Sequence, residues 1–351
     1  MAPHAEPAHS GSLPLVFQGT GTFGEVILAT HKETGDVVAI KKIRVDDKKM
    51  GIHVTALREV KYLKELDHPN IVRLLDVISL KRGIALVFEY MDTDLENVIR
   101  DRSLVLSKGD VKAYMLGMLK ALKHCHERWV VHRDIKPNNF LISRDGMIKL
   151  TDFGLSRIYG SPDRRYTNQV FARWYRPPEL LFGSTCYGPG VDVWALGCVF
   201  AELLSRKPWF PAESDVEVLS LIFNALGTPK GKDWGGLQHM PAYIKFQERD
   251  GIPLKTQFPG VEAEALDLLS KMVALDPRRR ITAVDALAHP YFKVKPAPTE
   301  PSMLPKPHVL DHHGHNGADD AKRKRAEAAA DPEDMDPKKL KALEDVTKAL
   351  F

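Results

Sequence analysis

Cysteine is scarce in this sequence, with only three among 351 residues. Cys125, Cys186 and Cys198 show no paired spacing, whereas disulfide frameworks and structural zinc sites place their cysteines in recurring pairs. A chain without such pairs is typical of a reducing compartment. The cysteine content therefore predicts an intracellular protein.

Long apolar runs and a strong charge imbalance are also missing. No segment approaches the roughly 20 apolar residues that span a bilayer. The opening MAPHAEPAHSGS has neither the basic nor the apolar region of a secretory signal. We therefore expect no membrane span and no signal peptide. The formal net charge of +4 gives no argument for direct binding of nucleic acid.

What remains is an ordinary globular composition, 44% hydrophobic and 27% charged, divided into four regions. Residues 1–12 are small and polar, and we expect them to be disordered. Residues 13–91 have the pattern of strands around one helix, and residues 92–292 are mainly helical. Residues 293–351 form a proline-rich and then basic tail. The predicted fold class is α+β, with a small β-rich lobe and a larger helical lobe.

Several helices are predicted from their apolar spacing. In TALREVKYLKEL the expected apolar side consists of Ala56, Leu57, Val60, Leu63 and Leu66. A long helix opens with a capping pattern from Ser107 to Asp110. VDVWALGCVFAELL is apolar almost all round, which predicts a buried helix. Two further amphipathic helices are predicted for SDVEVLSLIFNAL and EAEALDLLSKMVAL. Residues 228–260 are rich in Gly and Pro, and we expect them to be irregular.

The first chemical signal is GTGTFGEV, a glycine-rich stretch between two predicted strands. Glycines let a backbone close over phosphates with its amides directed at the oxygens, but flexible hairpins use glycine as well. A strand follows Gly24, so a dinucleotide-binding helix is not expected. Lys41, on a later strand, has a candidate partner in Glu59, which suits a phosphate-binding ammonium held by a carboxylate.

The strongest signal is HRDIKPNNF, followed by a turn, a strand and DFG. Asp134 can orient a hydroxyl and accept its proton, and Lys136 can offset the charge of a transferring phosphoryl group. Asn139 and Asp152 supply oxygens suited to a magnesium ion. The order of these pieces along the chain predicts phosphoryl transfer.

With these motifs in order, the chain resembles the eukaryotic protein kinases from about residue 13 to 292. The resemblance implies ATP and Mg²⁺ as cofactors. It implies that Glu179 of WYRPPE pairs with Arg280, and that Asp192 supports the HRDIKPNNF segment, called the catalytic loop below. It also implies contacts to the nucleotide from the following residues: Gln18, Gly19, Thr20, Gly21, Gly24, Val26, Ala39, Lys41, Glu59, Phe88, Glu89, Met91, Asp94, Leu141 and Asp152.

The chain is similar to the cyclin-dependent kinases in three segments: TALRE, YTNQVFARWYRPPELLFG and the proline-rich segment after residue 292. MDTDLE, IKPNN and GSPDRRYTNQV are most similar to the cyclin-H-associated type, which belongs to general transcription factor IIH and activates other cyclin-dependent kinases. This implies a nuclear serine/threonine kinase acting on RNA polymerase II C-terminal repeats or on kinase activation loops. The implied partners are a cyclin at the helix of Ala56 and Glu59, a RING-type assembly factor and the factor IIH core.

Regulation is implied at Thr167. A phosphothreonine brings about −1.5 to −2 charges and three acceptor oxygens, and Arg58, Arg133 and Arg157 are expected to converge on it. Ser161 is a second implied phosphorylation site, although Ser-Pro is also a common turn. Thr22-Phe23 stands where cell-cycle members have an inhibitory Thr-Tyr pair, which favours the transcriptional branch.

Three positions depart from the family pattern. Gln18 stands in place of a Leu or Ile over the adenine, and Pro177 replaces the Ala of Ala-Pro-Glu. Ala172 replaces a Thr whose hydroxyl bridges the catalytic Asp and Lys. The loss of such a bond costs about 1.5–3 kcal/mol. The alternative hypothesis is therefore a catalytically weakened scaffold of a cyclin complex.

Weaker patterns leave alternatives open. KHCHERWVVH concentrates histidines near the catalytic loop, where a structural role is favoured over zinc. The basic run Lys322–Arg325 is either a nuclear import signal or a solvated cluster. DPKKLKALEDVTKALF predicts a terminal helix that either docks on protein or frays.

Overall fold

The computed structural model describes residues 16–21, 24–31, 34–44, 54–80, 83–160, 165–230 and 233–307. The described residues form two compact units. The first unit contains the residues up to Val60 together with Arg73–Tyr90, and the second contains Lys61–Val72 together with Met91–Pro307. No helix within these ranges is long and apolar enough to cross a membrane. The predictions for residues 1–12, Thr22-Phe23, Ser161 and 308–351 lie outside the described residues.

The first unit contains a five-stranded antiparallel sheet with the order β1-β2-β3-β5-β4. Its strands are β1 (Val16–Gly21), β2 (Gly24–Thr30), β3 (Val37–Arg44), β4 (Leu74–Leu80) and β5 (Gly83–Glu89). Successive strand residues point to opposite faces, and one face buries Ile27, Ala29, Val38, Ile40, Ile78, Ala85 and Val87. This face forms the core of the unit.

The opposite face of the sheet carries the residues expected to contact a nucleotide. In the register of the sheet Val26 pairs with Lys41, and Ala39 pairs with both Leu28 and Phe88. Because paired residues share a face, Val26, Ala39, Lys41 and Phe88 lie together on the face opposite this cluster.

Helix α1 (Val54–Glu65) follows β3 in the chain, as predicted. Ala56 and Leu63 are buried, but Leu57 is 52% exposed. The prediction that Leu57 shares the apolar side with Ala56 is wrong. Adjacent helical residues point about 100° apart, and here Ala56 points to the buried side of the helix whereas Leu57 points to its exposed side.

The second unit is built mainly from helices. They are α2 (Leu95–Arg100), α3 (Lys108–Glu127), α4 (Pro178–Leu181), α5 (Gly190–Ser205), α6 (Asp215–Leu226), α7 (Leu254–Gln257), α8 (Ala263–Met272) and α9 (Ala283–Leu287). The Ser107 side chain accepts from the Asp110 N–H and the Asp110 carboxylate from the Ser107 N–H, which confirms the predicted capping box. Helix α5 is buried almost throughout, as its composition predicted.

Short strands in the second unit position the chemical motifs. Strands β6 (Thr93–Asp94), β8 (Phe140–Ile142) and β9 (Ile148–Leu150) form one sheet, and β7 (Val130–Val131) pairs with β10 (Arg157–Ile158). Asn139 ends a 3-10 turn directly before β8, and Asp152 follows β9 by two residues. Since Phe140 pairs with Leu150, the antiparallel hairpin brings these two motifs together.

The segment from residue 293 to 307 packs along α3. Lys112 is fully buried, and its Nζ donates to the Val294 and Pro296 carbonyls at 2.9 and 3.1 Å. The Thr299 N–H donates to the Gly109 carbonyl at 3.0 Å. These contacts attach the start of the proline-rich segment to the second unit, beyond residue 292, where the kinase domain was predicted to end.

Candidate active site

The predicted ion pair of the first unit is present. Lys41 Nζ lies 2.9 and 3.0 Å from the two carboxylate oxygens of Glu59. The Glu59 side chain is buried, whereas that of Lys41 is partly exposed. A buried carboxylate that receives two charge-assisted hydrogen bonds fixes the ammonium in position. Lys41 is thereby held at the sheet face that also carries Val26 and Ala39.

The glycine-rich stretch forms the β1–β2 hairpin, in which Gly21 pairs with Gly24. The register shifts between Phe17 and Thr20, so one extra residue enters β1 around Gln18 and Gly19. Such a bulge bends the strand locally. A strand follows Gly24, as predicted from the sequence.

In the second unit the catalytic loop brings three predicted residues into contact. Asp134 Oδ2 accepts from Lys136 Nζ and from Asn139 Nδ2, both at 2.9 Å. Asn139 Nδ2 also donates to the Asp134 carbonyl at 2.7 Å. These bonds fix the rotation of the Asp134 carboxylate, and within the described part of the chain they leave its Oδ1 atom without a hydrogen-bond donor.

Asn139 and Asp152 are neighbours because the Thr151 N–H donates to the Asn139 carbonyl at 3.0 Å. Asp152 has φ of 63°, in the left-handed region that is unfavourable for residues other than glycine. The following Phe153 is fully buried and packs edge-on against the His132 ring, with centroids 4.8 Å apart. Packing of Phe153 thus supports the strained position of Asp152.

Asp192 of α5 is completely buried and supports the catalytic loop, as predicted. Its Oδ1 accepts from the Arg133 N–H at 2.9 Å, and its Oδ2 accepts from the His132 N–H at 2.8 Å. His126 Nε2 lies 3.0 Å from the same Oδ2 atom. His132 Nε2 lies 3.0 Å from the Thr151 carbonyl. Both rings therefore have structural partners, which agrees with the structural role favoured for these histidines.

Two arginines, Arg280 and Arg176, stabilise the segment after DFG. Arg280 donates to both Glu179 oxygens at 2.6 Å, with both side chains buried, which confirms the predicted pair. Arg176 donates to the carbonyls of Val170 and Phe171 at 2.9 and 3.3 Å. Arg176 thereby fixes the backbone of Val170 and Phe171.

Two of the three arginines expected near Thr167 lie close together. Arg133 Nε and Arg157 Nη1 both donate to the Leu155 carbonyl, at 2.7 and 3.5 Å. Arg133 Nη1 also donates to the Tyr187 hydroxyl at 2.9 Å, and this hydroxyl donates to the Thr167 carbonyl at 2.6 Å. Arg58 belongs to the first unit, so its approach to Thr167 stays a prediction.

The remaining predicted nucleotide residues have local roles. Asp94 caps α2 by accepting from the Asn97 N–H at 2.8 Å, and burial raises its pKa. Leu141 is its strand neighbour, and Met91 is partly exposed. In the first unit, Glu89 accepts from the Arg73 N–H at 2.7 Å.

Sequence reasoning missed two residues of this region. Tyr187 bridges Arg133 and Thr167, and Asp215 accepts from Arg176 Nη1 at 3.0 and 3.1 Å. Neither belongs to one of the motifs that carry the resemblance. Their spacing along the chain gave no signal, because both contacts join segments about 20 or more residues apart.

The sequence and the fold of this chain are similar to those of known protein kinases. A protein kinase domain matches residues 16–292. Cyclin-dependent kinase D-1 of Oryza sativa subsp. japonica is 51% identical over 93% of this chain and 76% of its own length. Cyclin-dependent kinase 7 of Xenopus laevis is 48% identical over 84% of each chain. The CAK complex of Chaetomium thermophilum bound to ATP-gamma-S includes a chain with TM-score 0.80 and 42% identity, covering 83% of this chain and 94% of that one.

The matched region covers most of the chain, and the two named relatives are both cyclin-dependent kinases. The chain belongs to the protein kinase family and is a cyclin-dependent serine/threonine kinase.

Proposed function

We propose that this kinase transfers the γ-phosphoryl group of ATP to RNA polymerase II C-terminal repeats and to activation loops of other cyclin-dependent kinases. The observation that carries the proposal is the contact of Asp134 with Lys136 and Asn139, in a chain similar to a CAK subunit seen with an ATP analogue. The alternative, a catalytically weakened scaffold, rests on Ala172 and Gln18.

The chemistry follows from the fixed carboxylate. Asp134 Oδ1 accepts the proton of the substrate hydroxyl while that oxygen forms its bond to the γ-phosphorus and the bond to the β-phosphate oxygen breaks. Lys136, 2.9 Å from the same carboxylate, offsets the negative charge of the transferring group. Lys41, held by Glu59, binds phosphate oxygens of ATP. Because Lys136 already contacts Asp134, little reorganisation of this pair accompanies the reaction.

The residues present suit a magnesium ion. Asn139 uses Nδ2 to bind Asp134, so its amide oxygen is the atom left to act as a ligand, and Asp152 adds a carboxylate. Magnesium is commonly held by one or two protein oxygens together with phosphates and water. When bound, the ion neutralises charge on the β- and γ-phosphates. The described residues include no cluster of three or more His, Cys, Asp or Glu that would hold a metal on its own.

Substrate choice is proposed to depend on Arg176. Proline has no N–H to donate, so a site that accepts it after the target residue must present a backbone whose own acceptors are already satisfied. Arg176 occupies the Val170 and Phe171 carbonyls and is itself fixed by Asp215. This supports recognition of Ser-Pro or Thr-Pro in both proposed substrate classes.

The proposed partners are an H-type cyclin at α1, a RING-type assembly factor and the core of transcription factor IIH, in the nucleus. Leu57 supports the cyclin contact, since it is 52% exposed on a helix whose neighbouring Ala56 is buried. An exposed large apolar side chain on this helix is suited to burial by a partner protein. The similarity to a chain of the CAK complex supports the cyclin partner.

The test is a kinase assay on the complex with an H-type cyclin and Mg-ATP. The substrates are a polymerase repeat peptide and an inactive cyclin-dependent kinase, and Asp152→Asn is the control. Transfer that is lost in the control supports the proposal, and the ratio of the two rates assigns the preferred substrate. A formed complex that transfers phosphate to neither substrate favours the scaffold.

A further inference from the structure

Arg133, which precedes the catalytic Asp134, is a buried cation with neutral partners. It is 1% exposed. Its side chain donates to the Leu155 carbonyl at 2.7 Å and to the Tyr187 hydroxyl at 2.9 Å. A buried charge needs hydrogen-bond acceptors to offset its lost hydration. Within the described residues, the Tyr187 hydroxyl is the side-chain oxygen that accepts from this guanidinium.

The Tyr187 hydroxyl both accepts and donates a hydrogen bond. The oxygen accepts from Arg133, and the O–H donates to the carbonyl of Thr167 at 2.6 Å. The Tyr187 ring packs on Tyr166 with centroids 5.2 Å apart, and the Arg133 guanidinium lies 5.9 Å from the Tyr166 centroid. One hydroxyl and two rings thus join the catalytic loop to the residue expected to be phosphorylated.

We propose that Tyr187 is a positioning residue that holds Thr167 against Arg133 while Thr167 carries no phosphate. The inference rests on the proposed phosphoryl transfer with Thr167 as its regulatory site. It explains how Thr167 is connected to the catalytic loop before modification.

The hydroxyl must stay protonated to donate to Thr167. Burial raises the pKa of Tyr187, an effect that exceeds the opposing influence of Arg133. The phenol therefore remains neutral at physiological pH. A phosphate on Thr167 would be a charged acceptor, and hydrogen bonds to a charged acceptor are roughly twice as strong as neutral ones. Arg133 would then no longer depend on Tyr187.

The experiment compares Tyr187→Phe with wild type in the cyclin complex, each with Thr167 unphosphorylated and phosphorylated, as verified by mass spectrometry. We expect kcat/KM of the unphosphorylated variant to fall about tenfold. In the phosphorylated complexes the difference should be within about twofold. Tyr159→Phe is the matched control, because it removes a hydroxyl that donates to the His126 carbonyl at 2.7 Å without contacting Arg133.

Amide hydrogen exchange of residues 165–176 provides a readout that does not need activity. Tyr187→Phe should speed exchange there in the unphosphorylated complex only, and Tyr159→Phe should not. Equal losses of activity in both phosphorylation states, or unchanged exchange, would overturn the proposal. If the wild-type complex transfers no phosphate, the proposed function fails, and the exchange data still decide the role of Tyr187.

Discussion

The buried pair of Glu179 and Arg280 allows a quantitative prediction. Arg280 donates two hydrogen bonds of 2.6 Å to the carboxylate, and its other donors go to the carbonyls of Ala274, Gly190 and Leu275. Both side chains are buried. Glu179→Gln keeps the shape and removes the negative charge, which leaves a buried guanidinium facing neutral acceptors alone.

Breaking a buried ion pair by removal of one partner costs about 3–5 kcal/mol. Because glutamine still offers one hydrogen-bond acceptor, we expect the loss of unfolding free energy to lie at the lower end of this range, about 3 kcal/mol. For a domain of roughly 150–250 residues, each kcal/mol lowers the melting temperature by about 2–4 °C. The expected decrease is therefore about 6–12 °C.

Differential scanning calorimetry of the purified complex measures this decrease. The matched control is Glu127→Gln, which removes a carboxylate paired with Lys123 at 3.0 Å on the surface of α3. Surface pairs contribute about 0–1 kcal/mol, so the control should melt within about 4 °C of wild type. A Glu179→Gln melting temperature no lower than that of the control would refute the reasoning.

Three further predictions concern other parts of the chain. Ala172→Thr should raise kcat by about tenfold or more, because it restores a hydroxyl that can bond to charged partners. Steady-state assays with the repeat peptide measure this increase, and an unchanged kcat contradicts the prediction. A chain ending at Phe292 should melt well below one ending at Pro307, because buried Lys112 loses two carbonyl acceptors; equal melting temperatures contradict this. Burial lowers the pKa of His124 to about 4, so the unfolded state binds a proton first as pH falls below about 6.5. The wild-type protein therefore has its full stability above that pH and becomes less stable towards pH 4. Over this pH range the melting temperature of His124→Gln should fall less than that of wild type. Identical pH profiles of the two melting temperatures contradict this assignment.

Much of the fold and site was predictable because the signals are local. The capping box at Ser107 and the apolar α5 helix follow from residue types within one segment. The Asp134 and Asn139 contact spans five residues. The pair of Lys41 and Glu59 was predicted from a lysine on a strand and a glutamate on the helix that follows. The pair of Glu179 and Arg280 could be predicted only because the motif order resembled a known family.

The contacts that were missed depend on tertiary packing. Tyr187 and Thr167 are twenty residues apart, and nothing in their spacing indicates that they meet. The 293–307 segment has a composition typical of a linker, yet Lys112 and Gly109 of α3 bind its backbone. Backbone carbonyls supply most of these partners, and any residue type supplies a carbonyl. Such contacts leave no trace in composition or periodicity.

Backbone strain near the site links the catalytic loop to the segment after DFG. Arg133, Asp152 and Phe171 all have φ between 63° and 71°, a region that costs about 1–3 kcal/mol for such residues. Each persists because its surroundings fix it. Asp192 accepts from the Arg133 N–H, and the Phe171 N–H donates to the Arg133 carbonyl at 3.1 Å. The strained loop and the strained segment therefore stabilise each other through Arg133, so a change that loosens one should loosen the other. This coupling is why the loss of one hydroxyl at Tyr187 is expected to affect phosphoryl transfer, although that hydroxyl takes no part in the chemistry.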